Sequence, residues 1–215
     1  MAAETLENLK RAILDYDDEG AATWARKAVE QRIDPIEAID VLTEAIRVVG
    51  DGFGKGELWL PDLVGAATAM KSAMPIIEDE IQRTGKKRET LGTVVLGTVY
   101  GDIHDIGKNM VGTLLTANGF TVYDVGINIT AEEFVEAVKK HKPDILAMSA
   151  LMTMTSYQQM NVIAGLKDEG LRDQVKIMVG GGAITQEFAD SIGADGYEPS
   201  APGAVSLARK LMGIE

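Results

Sequence analysis

The chain has 215 residues, 46% of them apolar, enough for one large or two small domains with a buried core. Its 33 acidic against 21 basic residues give a formal charge of −12, and no Lys/Arg-rich run marks a surface for nucleic acid or anionic lipid. There is no Cys, which excludes disulfides, thiolate nucleophiles, Cys-ligated zinc and iron–sulfur clusters, and the two His restrict any imidazole-ligated metal to His104 or His141. The first twenty residues are charged throughout and lack a signal-peptide pattern, and no apolar run reaches membrane-spanning length. A cytoplasmic, soluble protein is expected.

Glycine divides the chain: 7 of the 23 fall in residues 1–90 and 16 in residues 91–215, while each part carries a net charge of −6. The first part reads as helices. Amphipathic stretches cover 5–17 and 21–31. A third begins with Asp34 as N-cap and Pro35 at the first helical position, and Ile36, Ile39, Leu42, Ile46 and Val49 form one face. A fourth runs from about Pro61 to Arg83. Between the last two lies GDGFGKGELWLPD, read as a Gly-dense loop carrying Phe53, Trp59 and Leu60. Helices with such short connections predict a four-helix bundle. Residues 84–90, charged and free of apolar side chains, read as a linker with a solvated Lys86-Lys87-Arg88 run.

The second part changes period. Short β-rich runs at 93–99, 121–125, 145–149, 176–179 and 196–197 alternate with helical patterns at 107–118, 130–141, 155–169, 185–192 and 203–212. That alternation implies right-handed crossovers and a parallel sheet covered on both faces, and five strands suit the flavodoxin-like order. The expected fold class is α + α/β: a four-helix bundle over residues 1–90, then a flavodoxin/Rossmann-like doubly wound five-stranded parallel sheet over 91–215.

Ligands of open parallel sheets bind beyond the carboxyl ends of the strands. The first such loop, Tyr100-Gly-Asp-Ile-His-Asp-Ile-Gly-Lys-Asn109, gathers two carboxylates, an imidazole and two glycines. A solvated turn with a helix-capping Asp is one reading. Phosphate binding is disfavoured, because Asp102 and Asp105 would repel an anion at the helix start. The spacing Asp102-x-His104 instead suits a metal ligand whose second ring nitrogen is held by a carboxylate. One protein ligand cannot fill a zinc shell, but it can take one axial position on a metal held by a macrocycle.

GDIHDIGKN resembles the Asp-x-His-x-x-Gly signature of cobalamin-binding domains that bind with the lower base displaced. The likeness extends along nearly the whole chain: residues 1–90 resemble the helical cap of methionine synthase and of the small corrinoid methyl-carrier proteins, and residues 91–215 resemble their Rossmann-like cobalamin domain. The resemblance implies that His104 ligates cobalt and Asp102 accepts the other imidazole N–H. Gly101, Ile103, Asp105 and Gly107 belong to the same motif loop. It further implies that Ser149, Leu151 and Thr153 lie where the family binds the buried nucleotide tail, with Thr155 at the relay hydroxyl. Gly107, Gly180, Gly181 and Gly182 would let the tail pass, and Tyr197 and Ala201 would close over it. FGKGELWLP resembles the family's Phe-Gly-x-Gly-x-x-x-Leu-Pro loop, implying that Phe53 and Leu60 cover the upper face of the corrin.

The remaining features have plainer readings. His141 at a helix end reads as a surface residue favoured there as a cation. Met148, Met152, Met154 and Met160 read as core packing, with Met152 and Met154 also placed to pad a corrin edge. The triple glycine is as compatible with a tight turn as with a ligand contact. Without the family likeness, Phe53 and Trp59 read equally as a hydrophobic plug.

The resemblance implies a non-catalytic carrier. It would bind cobalamin, cycling between cob(I)alamin and methylcob(III)alamin, and pass a methyl group from a substrate:corrinoid methyltransferase to an acceptor methyltransferase, serving tetrahydrofolate or coenzyme M, with a reductive activase as third partner. Membrane and nucleic acid are not expected partners. A cobalamin-binding sensor is the alternative from another class, disfavoured by the absence of a basic recognition helix. The small subunit of an adenosylcobalamin mutase is another, disfavoured by the FGxGxxxLP segment. An unrelated flavodoxin-like receiver is disfavoured by the His104 loop.

Overall fold

The computed structural model describes residues 2–86 and 90–214. The chain forms two compact units, one of Met1–Glu89 with Thr116–Asn118, the other of Thr90–Leu115 with Gly119–Glu215.

The first unit contains α1 (Ala2–Leu14), α2 (Asp18–Glu30), α3 (Pro35–Gly54) and α4 (Leu60–Thr84). The starts of α2, α3 and α4 have local causes. The Asp17 carboxylate accepts the Gly20 N–H before α2, and that of Asp34 accepts the Ile36 N–H at 2.9 Å ahead of Pro35. At α4 the Asp62 side chain accepts the Trp59 N–H at 2.7 Å, with Pro61 in the first turn. Leu9, Ile13, Ile39, Leu42, Ile46, Leu63 and Ile77 are buried inside the bundle. Its tightest pair is α2 with α4, where Ala21, Ala25 and Ala28 and Ala66, Ala69 and Ala73 are buried and let the backbones approach.

The predicted Gly-dense loop is mostly helix. Residues 50–54 are the last turns of α3, with Phe53 in the final turn, and Leu60 is the first residue of α4, leaving 55–59 as the connection. Glycine lowers helix propensity by about 1 kcal/mol each, but packing overrides it here. A side chain at Gly52 would meet Leu58 at 2.8 Å, and Gly52 O accepts N–H groups of Glu57 and Leu58. α1 and α2 both begin about three residues before the apolar pattern does. Of the expected linker, Thr84 belongs to α4, Gly85 caps it in the left-handed region, and Lys86 pairs with Asp34 at 2.5 Å rather than standing free; residues 87–89 lie outside the described residues.

In the second unit β1 (Thr93–Val99), β2 (Thr121–Ile129), β3 (Ile145–Ser149), β4 (Lys176–Gly180) and β5 (Gly196–Tyr197) form one parallel sheet in the order β2-β1-β3-β4-β5. The crossovers are α5 (Ile106–Ala117), α6 (Ala131–His141), α7 (Thr153–Asp168) and α8 (Gln186–Ile192), and α9 (Ala201–Leu211) closes the unit. Central strands β1 and β3 are buried on both faces, as a sheet between helix layers requires. Val95, Phe134, Leu146, Val162, Leu166 and Ile177 form the core under α6, α7 and α8.

Two bounds differ in ways that matter for the site. β2 continues four residues past Val125, because register shifts against β1 at Leu96/Gly97 and Gly97/Val99 each take up one extra β2 residue, on either side of the Gly97–Gly126 pair. α7 begins at Thr153, so Thr153 and Thr155 sit in its first turn. Among the described residues no helix is long and apolar enough to cross a membrane.

Candidate cofactor site

The site is built where β1 ends. Gly101 turns the chain with φ +79, and the Asp102 N–H donates to Val99 O at 3.1 Å, which returns Asp102 beneath the strand end. The Asp102 side chain is wholly buried. Its Oδ1 accepts the His104 backbone N–H at 3.0 Å and His104 Nδ1 at 2.7 Å. Its Oδ2 accepts the Thr155 hydroxyl at 2.7 Å and the N–H groups of Leu151 at 2.8 Å and Met152 at 3.3 Å. Burial by itself would raise this carboxyl group, but the bonds from Thr155, His104 and Leu151 outweigh it and hold it well below the usual carboxylate range. An ionised carboxylate only accepts, so His104 Nδ1 carries a proton, and in the neutral ring that tautomer leaves the lone pair on Nε2. The His104 side chain is 48% exposed, against 0% for Asp102. The pair is therefore a fixed anion under an imidazole with its free nitrogen available for a ligand.

Asp105 faces the first turn of α5, where its carbonyl accepts the Asn109 N–H at 2.7 Å and its carboxylate the Asn109 amide at 3.0 Å. Gly107 borders open space. The segments that build the site carry exposed apolar side chains: Tyr100 and Ile103 on the loop, Ile106 at the start of α5, and Leu151 and Met152 on the segment that donates to Asp102. Ser149 ends β3, and Thr153 is exposed at the start of α7. Gly180 ends β4. Gly181, at φ +119, could hold no side chain, because a Cβ there would collide with the backbone of Ala150, while one on Gly182 would press Leu151 at 2.8 Å. The glycines thus bring the β4 turn against the 150–151 segment, a packing role that leaves the alternative of ligand contact open. Tyr197, partly buried, packs on the core at the end of β5, and Ala201 opens α9; among the described residues the hydrogen bonds of Asp102 do not extend to them.

Phe53 and Leu60 belong to the first unit, Phe53 partly buried in α3 and Leu60 exposed at the start of α4, beside Trp59, which is 74% exposed. The plug reading of Trp59 therefore does not hold. Of the four methionines expected in the core, only Met148 is buried; Met152, Met154 and Met160 lie on the exposed side of the β3–α7 segment. His141 is not a free surface cation either. Its ring lies against Tyr123 with centroids 4.0 Å apart, and burial followed by the nearby Lys140 charge pushes its pKa down.

Four residues of the site neighbourhood were not singled out from the sequence, although Lys108 lies within GDIHDIGKN. Thr98, wholly buried on β1, donates to His104 O at 3.0 Å. Asn128 accepts the Gly101 N–H on its side chain at 2.8 Å, and its own N–H donates to Asp102 O at 3.1 Å. Lys108 is buried on α5 and pairs with Asp124 of β2 at 2.5 Å. Gln159 is buried on α7 and donates to Met148 O at 3.0 Å, tying the helix to β3. Only the Asn-after-Gly step at 126–128, a hint of left-handed backbone, was open to sequence reasoning.

Comparison with known proteins bears directly on this arrangement. The B12 binding domain family matches residues 92–206, and a second B12 binding domain family matches residues 5–78. The chain is 44% identical to the trimethylamine corrinoid protein of Methanosarcina barkeri over 212 residues, 98% of each chain. The chain belongs to the corrinoid proteins. A corrinoid protein of Desulfitobacterium hafniense is likewise 44% identical, over 99% of this chain and all of its own. Among solved structures, the methanol:cobalamin methyltransferase complex MtaBC of Methanosarcina barkeri holds a chain similar to this one, with TM-score 0.82, 33% identity, and coverage of 98% of this chain and 80% of that one. This corrinoid protein is thus of the methyltransferase-associated type, and cobalamin is its cofactor.

The residues present fit that group. Among the described residues no three His, Asp or Glu side chains stand together to hold a bare ion. A metal that brings its own equatorial ligands needs only one imidazole, and His104 offers one with its tautomer already set. The exposed Ile103, Ile106, Leu151 and Met152 supply an apolar surface for a large macrocycle.

Proposed function

We propose that this corrinoid protein binds cobalamin base-off and histidine-on, and carries a methyl group between two methyltransferases. When bound, the cofactor supplies a cobalt centre that can accept a methyl cation equivalent and release it to another nucleophile. The protein's part is positional and electrostatic. His104 would provide the lower axial nitrogen through Nε2. Asp102 keeps the proton on Nδ1 and makes the ring a better donor, and Thr155 with the Leu151 and Met152 N–H groups holds Asp102 in place. Ser149, Leu151, Thr153, Gly107 and Gly180–Gly182 would border the displaced nucleotide tail, and Tyr197 and Ala201 would close over it. Phe53 and Leu60 would shield the upper face until a partner enzyme takes the methyl group.

The observation that carries this reading is the wholly buried Asp102 joined to a half-exposed His104 ring at 2.7 Å. It supports cobalamin binding, and the match of residues 5–78 to the second B12 binding domain family, with the corrinoid relatives, favours a methyl carrier over the sensor and mutase alternatives. The donor side would be a substrate:corrinoid methyltransferase, with a methylated amine as the first substrate to try. The acceptor side would be a second methyltransferase serving tetrahydrofolate or coenzyme M, and a reductive activase would restore cob(I)alamin. Localisation in the cytoplasm belongs to the same proposal. The test is to load the protein with hydroxocobalamin, remove excess, reduce the bound cobalt to cob(I)alamin with a low-potential chemical reductant such as titanium(III) citrate, and follow methyl transfer from trimethylamine with a trimethylamine methyltransferase. Stoichiometric binding and methylation are expected. Binding without methylation by any methylated amine, methanol or methoxylated aromatic system would refute the carrier role.

A further inference from the structure

We infer that Asn128 is a positioning residue for the Asp102–His104 pair, acting through the backbone of the turn that carries it; this rests on the cobalamin reading above. Asn128 is one of four non-glycine residues with positive φ among the described residues, at φ 58 near the end of β2. That conformation is disfavoured for a residue with a Cβ and persists where the surroundings compensate it. Here it lets one residue grip the turn twice. Its side-chain oxygen accepts the Gly101 N–H at 2.8 Å, and its main-chain N–H reaches Asp102 O at 3.1 Å. The two bonds fall on consecutive residues of the turn and leave the Asp102 carboxylate free for His104, Thr155 and the 151–152 amides.

The rest of β2 supports that grip. Asp124 accepts the Gly126 N–H at 2.9 Å through Oδ1, which shapes the irregular stretch before Asn128. Its Oδ2 is held at 2.5 Å by Lys108, whose side chain is 2% exposed. Lys108 follows Gly107 directly, so the first turn of α5 is tied to the middle of β2. A buried lysine needs such a partner.

The experiment compares wild type, Asn128→Gly and Asn128→Asp as full chains, with hydroxocobalamin as the probe. Glycine keeps the left-handed backbone and the main-chain donor while deleting the side-chain acceptor; aspartate keeps an acceptor oxygen. Expected for Asn128→Gly are about tenfold weaker cobalamin binding, the effect of one hydrogen bond, and a smaller histidine-bound fraction in the visible spectrum. The unfolding midpoint of the apo protein should stay at the wild-type value, and Asn128→Asp should bind like wild type. In the wild-type apo protein the Gly101 amide should exchange slowly with solvent. Unchanged affinity and spectrum in Asn128→Gly would overturn the inference. So would an apo midpoint that falls along with affinity, or a freely exchanging wild-type Gly101 amide. Failure of wild type to bind at all would reject the cobalamin reading instead.

Discussion

The Asp102–His104 turn and the 53–60 segment of the helical unit are both assigned to the cofactor by family likeness, yet they are built on opposite physical plans. In the first, the buried carboxylate is fully committed: Asp102 accepts five hydrogen bonds, and the turn itself is anchored through Asn128 and Thr98. In the second, the side chains proposed to cover the cofactor are apolar, and the described hydrogen bonds of the segment run along the backbone apart from the Asp62 cap on the Trp59 N–H. A donor atom must be aimed, so its support is hydrogen-bonded and intolerant. A cover must only exclude water, so it needs area rather than direction, and it can tolerate movement.

That contrast can be broken in order of severity. Asp102→Ala strands several donors that now converge on one buried carboxylate. It should cost about 3 kcal/mol of stability, read by chemical denaturation of the apo protein, and should abolish histidine-bound cobalamin. Asp102→Ala as stable as wild type would show that the network is not structural. Thr155→Val removes one hydroxyl donor at nearly constant shape and should cost about 1 kcal/mol. Thr155→Ser should restore the loss; if Ser and Val behave alike, the hydroxyl is not the contact that matters. Phe53→Ala with Leu60→Ala should leave the histidine-bound spectrum intact while accelerating photolysis or thiol attack on the bound methyl group. Unchanged rates would remove these two residues from the cover.

The smallest effect concerns His141. Burial against Tyr123, and Lys140 beside it, keep this imidazole's pKa below its ordinary value. As pH falls, the unfolded chain takes up the proton first, so the folded state loses stability below roughly pH 6.5 and keeps it in full above. His141→Gln should flatten the dependence of the melting midpoint on pH over that window, and an unaltered profile would assign the slope to other groups.

What could be read in advance follows the same division. Strand–helix alternation disclosed the sheet and its order because β1 and β3 are buried on both faces and read as continuous apolar runs. Asp34-Pro35 marked the start of α3, since a cap is a local signal. The Asp102 and His104 pair was legible from spacing, whereas its partners came from β2, β3 and α7, far along the chain. Asn128 and Gln159 therefore carried no motif, while Thr98, close by on β1, reads as one more residue of a buried strand. The glycines at 50–54 misled because propensity is weak beside bundle packing. The exposed methionines misled because composition does not say which side of a strand–helix turn meets solvent.

The most direct test of the central claim is electron paramagnetic resonance of the cobalt(II) form, prepared on protein carrying histidine labelled with nitrogen-15. If His104 Nε2 is the lower ligand, the superhyperfine lines from the axial nitrogen change from triplets to doublets on labelling and vanish in His104→Ala. A signal that keeps its unlabelled pattern, or that survives in His104→Ala, would contradict the account.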